Sequence, residues 1–113
     1  MKKYELVHDD TIVVDGKKLY RIRALRDFGF VSAGELGGYI EHEGNLSHEG
    51  EAWVSGNAKV SGDARVSDNA RVFGNAKVSG NAKVSGRAWV SDNARVFGNA
   101  KVSDNAKVFG NAA

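Results

Sequence analysis

From Ala52 onward, apolar and polar residues alternate in units of six. Ten complete hexads begin at Ala52, Ala58, Ala64, Ala70, Ala76, Ala82, Ala88, Ala94, Ala100 and Ala106, and each has Val two residues later. In a stretch such as Ala-Lys-Val-Ser the period of two sends Ala and Val to one face and Lys and Ser to the other. The Gly/Asp-Asn pair that follows supplies a corner, because Gly and Asn accept positive φ at little steric cost. Three short strands and three corners close a triangle of 18 residues, and the next coil lies about 4.8 Å above it. Backbone hydrogen bonds then run from coil to coil. The columns this predicts are regular: Val54, Val72, Val90 and Val108 inward, with Ala52, Ala70, Ala88 and Ala106 beside them. The corners read Asn57, Asn75, Asn93, Asn111, then Asp63, Asn81, Asn99, then Asn69, Arg87, Asn105. Their amides are expected to satisfy corner backbone groups or to ladder with one another.

The pattern before Ala52 is different. TIVVDGKKLYRIRAL is rich in β-branched and aromatic residues and has Asp15-Gly16 at its centre. That dipeptide between two such runs predicts a β-hairpin with a type I′ turn, flanked by Val14, Leu19 and Tyr20. YELV, residues 4–7, reads as a third strand, and His8-Asp9-Asp10 as a loop. Residues 1–33 thus form a small β cap, 34–51 an irregular first coil and 52–113 the regular coils, all within one structural domain. In the first coil Gly37-Gly38 is expected to turn the chain, with Tyr39 and Ile40 closing the open bottom of the triangle.

Composition supports a thin stacked core, since the apolar residues are mostly Val and Ala and there are 14 Gly and no Pro. The absence of Cys excludes disulfides and thiolate metal sites. No apolar run follows the N-terminal lysines and none is long enough to span a bilayer, so a cytoplasmic protein without membrane partners is expected. The net charge of +2 is unevenly spread: residues 1–51 carry −3 and residues 52–113 carry +5. The two parts are electrostatically different objects.

V-S-G-N-A-K and V-S-D-N-A-R resemble the hexapeptide repeat of left-handed parallel β-helices, densely over residues 52–111 and more loosely back to Gly34. The resemblance implies left-handed coiling, against the usual right-handed crossover. The lead-in at residues 26–54 is similar to one found in bacterial and phage proteins of unassigned function, some labelled transferases or polymer-forming proteins. Its residues here are Asp27, Phe28, Ala33, Gly34, Gly37, Gly38, Tyr39 and Ile40. Hexapeptide β-helices are best known as trimeric acyltransferases with intersubunit sites, a His as general base and often an ejected loop. Residues 52–113 contain no His and no loop insertion, and His8, His42 and His48 all precede the regular coils. No catalytic residue is therefore assigned.

His42 and His48 lie six apart, where Val would sit if the hexad register ran backwards. Glu41, Glu43, Glu49 and Glu51 surround them, but no third ligand is defined. They read as solvated, and no metal or cofactor is called for. The outward positions vary more. One face carries Trp53, Arg71, Trp89 and Lys107 before Val, and Ser55, Phe73, Ser91 and Phe109 after it. Aromatic and cationic groups alternate there at cation–π spacing. Trp53, Arg71, Phe73, Trp89, Lys107 and Phe109 are the candidate interface, since Trp, Phe and Arg are favoured anchors. The other faces carry Lys59, Lys77, Arg95 and Arg65, Lys83, Lys101. Serines and the corner acids Asp63, Asp68, Asp92 and Asp104 dilute these columns, and no recognition motif accompanies them. Polyanion or nucleic-acid binding is kept as an alternative, with specific nucleic-acid recognition disfavoured.

The coils reach VFGNAA without a polar cap, so Val96, Val102, Val108 and Phe109 are expected at an open end that invites end-to-end association. The sequence thus reads as an all-β solenoid serving as a non-enzymatic structural or binding module. It forms a homo-oligomer, through that end or laterally through the Trp face, and offers an aromatic–basic face to a protein partner. An acyltransferase-like enzyme with an intersubunit site is the alternative.

Overall fold

The computed structural model describes residues 2–110, so Asn111 lies outside the described residues. Two long strands, β1 (Tyr4–Val14) and β2 (Lys17–Ala24), precede β3 (Leu36–Ile40) and a single 3-10 turn at Glu43–Asn45. Ten two-residue strands follow, from β4 (Trp53–Val54) to β13 (Lys107–Val108), one for each hexad. The result is an all-β, parallel β-solenoid of about four turns with almost no helix.

Stacking is in register. Val54 pairs with Val72 and Val72 with Val90, in parallel, and the same holds for Val60 with Val78 and Val66 with Val84. Between paired coils, amides such as Trp53 N, Lys59 N and Arg65 N donate to the carbonyls of Ala70, Ala76 and Ala82 at 2.9–3.1 Å. The corners are paired in the same way: Asn57, Asp63 and Asn69 donate through their backbone N–H to Gly74, Gly80 and Gly86. Corner satisfaction is therefore mainly a main-chain affair. Among the described residues the Asn side chains add one ladder contact, Asn81 to Asn99 at 3.5 Å, and one from Glu51 N to Asn69 Oδ1 at 3.3 Å.

The bend falls on the first residue of each corner pair, the one before Asn, Asp63 or Arg87. Gly56, Gly62, Gly74, Gly80, Gly86, Gly98 and Gly110 all have positive φ, and so do Asp68, Asp92 and Asp104 at 57–59°. Asp68 compensates part of its strain: its Oδ2 accepts from Gly86 N, one coil above, at 3.0 Å. The interior is small and apolar, with the Ala and Val residues from Ala52 to Ala94 buried at 0% exposure.

The cap continues one side of the triangle. The sheet order β1-β2-β3 runs on into Lys59–Val60, Lys77–Val78 and Arg95–Val96. Asp15 and Gly16 both have positive φ, 52° and 78°, as a type I′ turn requires. Tyr4–Val7 is not a separate strand. It is the start of β1, which pairs with β2 throughout and slips register between Val7 and Thr11, so His8-Asp9-Asp10 is a bulge rather than a loop. Gly37 and Gly38 do not turn the chain either, since they lie inside β3. A Cβ on Gly37 would stand 2.6 Å from Ile22 Cγ1, and one on Gly38 2.7 Å from Ala58 O. The glycines let β3 press between the hairpin and the second coil.

The first coil is two residues longer than the others. Ile40 pairs with Val60 and Leu46 bridges to Val66, but Leu46 and Val54 are eight residues apart. Ile40 and Leu46 therefore occupy the interior positions that the backward hexad register assigned to His42 and His48. An apolar side chain gains burial there, and the extra length is taken up in residues 47–51.

Because every corner stacks on the next, a corner methyl is felt by the coil above. A Cβ on Gly80 would lie 2.9 Å from Gly98 N and 3.1 Å from Gly98 O, whereas one on Gly98 meets nothing within 4 Å. Both substitutions to Ala incur the left-handed cost of about 1–2 kcal/mol. Gly80→Ala adds the backbone clash, so urea denaturation should show it to be clearly the more destabilising. Equal losses would mean that the coils do not stack in this register.

Candidate functional site

On the face built from Val54, Val72, Val90 and Val108, the outward residues do not share one environment. Trp53 is buried, only 4% exposed, because Phe28 and Tyr4 of the cap lie across it edge to face at centroid distances of 5.3 and 6.4 Å. Its indole Nε1 has no hydrogen-bond partner among the described residues. This corrects the expectation that Trp53 belongs to an accessible face: outward of the coil means under the cap at this height. Two coils up, Trp89 is 39% exposed and meets the Phe73 ring edge to face at 5.9 Å. Lys107 Nζ stands 4.8 Å over the Trp89 ring, and Arg71 Cζ stands 4.5 Å over Phe30, which the lead-in loop projects across the face.

Two adjoining open grooves, of about 230 and 620 Å³, meet on this face and share Phe30, Arg71 and Trp89. Phe73, Ser55 and Glu35 line the first, and Arg87, Lys107 and Glu51 the second. Phe30, 84% exposed, escaped the sequence reading. Its signal was the alternation Phe28-Gly29-Phe30, which sends one ring into the core and the other out. Phe109 is exposed and Val108 half-buried, while Val96 and Val102 lie in the core. The valines point inward at the top as at the bottom, so of these four only Phe109 offers a large free apolar surface.

The histidines sit away from this groove, at the lower end. His42 caps the 3-10 turn, its Nδ1 accepting from Gly44 N at 3.1 Å while Nε2 lies 2.8 Å from Gly62 O. His48 stacks on Tyr4 at 4.1 Å, Nδ1 accepting from Lys3 N and Nε2 2.8 Å from Glu43 Oε1. In each ring the acceptor opposite Nε2 places the proton there, and Nδ1 is already filled. That hydrogen bond, and Lys2 beyond it, hold the Glu43 carboxyl below its ordinary range. Among the described residues no group of three or more His, Cys, Asp or Glu is placed to hold a metal ion.

Sequence reasoning also missed the cap's polar contacts. Ala70 O and Val66 O accept from Trp53 N and Ser47 N below them, so their counterparts one coil down, Ala52 O and Leu46 O, need donors from outside the stack. Lys3 Nζ reaches Ala52 O at 2.6 Å and the Tyr4 hydroxyl reaches Leu46 O at 2.6 Å. Asn45, buried, accepts from Glu41 N and His42 N and donates to Gly62 O and Ala64 O. Burial first, then Arg26, pushes the Lys3 ammonium down to about 8, with Glu51 opposing. Burial, with Glu43, pushes the Tyr4 hydroxyl up.

Residues 64–80, about one coil, match a family model described as YdcK beta solenoid repeat. No curated protein matches the chain. No helix among the described residues is long and apolar enough to cross a membrane.

Lys3 generates a pH dependence of known sign. Unfolded, it keeps its proton to about pH 10.5; folded, it releases it near 8. Its contribution is therefore lost as pH falls through about 8, and stability rises from pH 8 toward 10 by at most about 1.4 kcal/mol per pH unit. Tyr4 ionises in the unfolded chain near pH 10 and reverses the trend above that. Lys3→Met should abolish the rise, and at neutral pH the cost of about 1–3 kcal/mol for orphaning Ala52 O is offset by the loss of the buried ammonium's own penalty. Urea midpoints across this range decide it, and an unchanged rise in the variant would refute the assignment.

Proposed function

We propose that this protein is a non-enzymatic β-solenoid binding module that uses its aromatic–basic groove to take a protein partner, and that the partner includes a second copy of itself. The observation that carries the reading is the setting of Trp89. A partly exposed indole lies on Phe73 in an open groove, with Lys107 over it and Arg71 beside it on Phe30. Among the described residues neither cation has a carboxylate partner. Aromatic and Arg side chains in such concave settings dominate protein interfaces. The acidic counterpart is present on the same chain, where Asp9, Asp15, Asp27 and Glu49 are exposed and hold no described ion pair. Complementary charge of this kind steers association and sets register.

Left-handed, hexapeptide-type coiling belongs to the same proposal, supported by the 18-residue pairing interval and the repeat's resemblance to that class. Acyl transfer is the weaker reading, because both ring nitrogens of His42 and His48 are engaged by other groups of the chain.

Sedimentation velocity over a concentration series tests the module. The wild type should self-associate, more weakly at high salt. Trp89→Ala should weaken that association by about 30-fold or more, the loss of about 2 kcal/mol typical of an anchor. Trp53→Phe, under the cap, should leave it unchanged. A wild-type chain that stays monomeric at the highest soluble concentration overturns the self-association reading.

A further inference from the structure

The other two faces carry a second surface, independent of the Trp89 groove. Parallel register places Lys59, Lys77 and Arg95 directly over one another, and likewise Arg65, Lys83 and Lys101. Successive coils are about 4.8 Å apart, and like charges directly opposite on one sheet face destabilise it. Lys59 registers the effect: burial first, and then Lys77 above it, hold its ammonium below the usual lysine range. The chain does not relieve this repulsion. Every described ion pair lies within residues 2–48, and none involves the corner acids Asp63, Asp68, Asp92 or Asp104. The corner acids dilute the columns in the sequence, but none of them forms a described ion pair with a column cation.

Two further features bear on what such a surface takes. Beside the cations, two residues along each strand, stand Ser61 and Ser79 on one face and Ser67, Ser85 and Ser103 on the other, hydroxyls of the kind that bind phosphate oxygens. The ridge between the faces bends at Gly62, Gly80 and Gly98, all at positive φ, and so carries no side chain at its turn. Its second corner position holds one acid, Asp63, against six cations. Of the aromatics along these columns, Tyr39 below Lys59 is buried and Phe97 is exposed, too little for the base stacking by which single strands are held.

We infer that this ridge is a track for the phosphate backbone of double-stranded DNA, contacted without base readout. The duplex carries about one charge per 1.7 Å of axis, so a rigid column of cations meets phosphates without a matched repeat. Binding is therefore independent of DNA sequence and strongly dependent on salt.

Fluorescence anisotropy with a labelled duplex, on the full chain, tests this. Six phosphate contacts give a slope of log Kobs against log salt of about −5. Lys77→Gln with Lys83→Gln should bring it to about −3.5 and weaken binding at every duplex sequence tried. The double variant removes repulsion, so its thermal midpoint should be equal or higher, which separates lost contacts from lost fold. Trp89→Ala should bind DNA as the wild type does, so that failure of the groove reading and failure of this one are distinguishable. Four results would overturn the inference. They are no binding at about 50 mM salt, a slope unmoved by the double variant, preference for a single strand of equal charge, and displacement of the duplex by polyglutamate of equal charge. The last two would assign the ridge to stacked bases or to an acidic protein.

Discussion

Each coil's backbone amides reach carbonyls of the coil above, as Lys59 N does Ala76 O and Asn57 N does Gly74 O, and most of the molecule follows from that one repeated contact. A two-residue strand has too few hydrogen bonds to persist alone, so each side of the triangle exists only as a stack. Stacking requires every coil to turn at the same height, which is why Gly or Asp stands at each bend with positive φ. It also keeps the interior narrow. Within the triangle three Val and three Ala per turn fill the cross-section, and a bulkier residue would have to be matched in the coils above and below. The monotony of the repeat is the signature of that mutual dependence.

The same contact makes an end of the stack expensive, and the N-terminal segment shows how one end is closed. On one side β3 and β2 continue the sheet. On the other two sides no strand is available, and the ammonium of Lys3 and the hydroxyl of Tyr4 substitute for the missing amides at Ala52 O and Leu46 O. Burying a lysine to do this is costly, as its lowered affinity for the proton indicates. Leaving two buried carbonyls unpaired would cost a comparable amount. The aromatic rings of Tyr4, Phe28 and Trp53 then seal the margin.

What could be read beforehand was local or periodic. The hairpin turn at Asp15-Gly16, the inward Ala and Val and the 18-residue stacking interval all follow from spacing. The parts that escaped depend on contacts far apart in the chain. Lys3 with Ala52 and Tyr4 with Leu46 are joined across more than forty residues, and nothing in MKKY announces them. Extending the hexads backwards failed at His42 and His48 because two additional residues before Val54 shift the register. There the apolar Ile40 and Leu46, not the spacing, decide what is inside. Trp53 and Trp89 are equivalent in the repeat and opposite in exposure, since periodicity tells which way a side chain leaves the coil and not what lies over it.

That distinction bears on where function resides. The inward and corner positions are consumed by stacking, so substitutions there are paid in stability and carry little information about ligands. The outward positions have no such duty, and serine would serve at all of them. At the position before Val the chain instead places a cation on eight of ten coil sides and Trp on the other two. Register then aligns six of those cations in two unrelieved columns. Such an arrangement opposes the fold's own stability, on positions the fold leaves free. The aromatic groove and the cationic ridge occupy different sides of the triangle, so a partner on one leaves the other open.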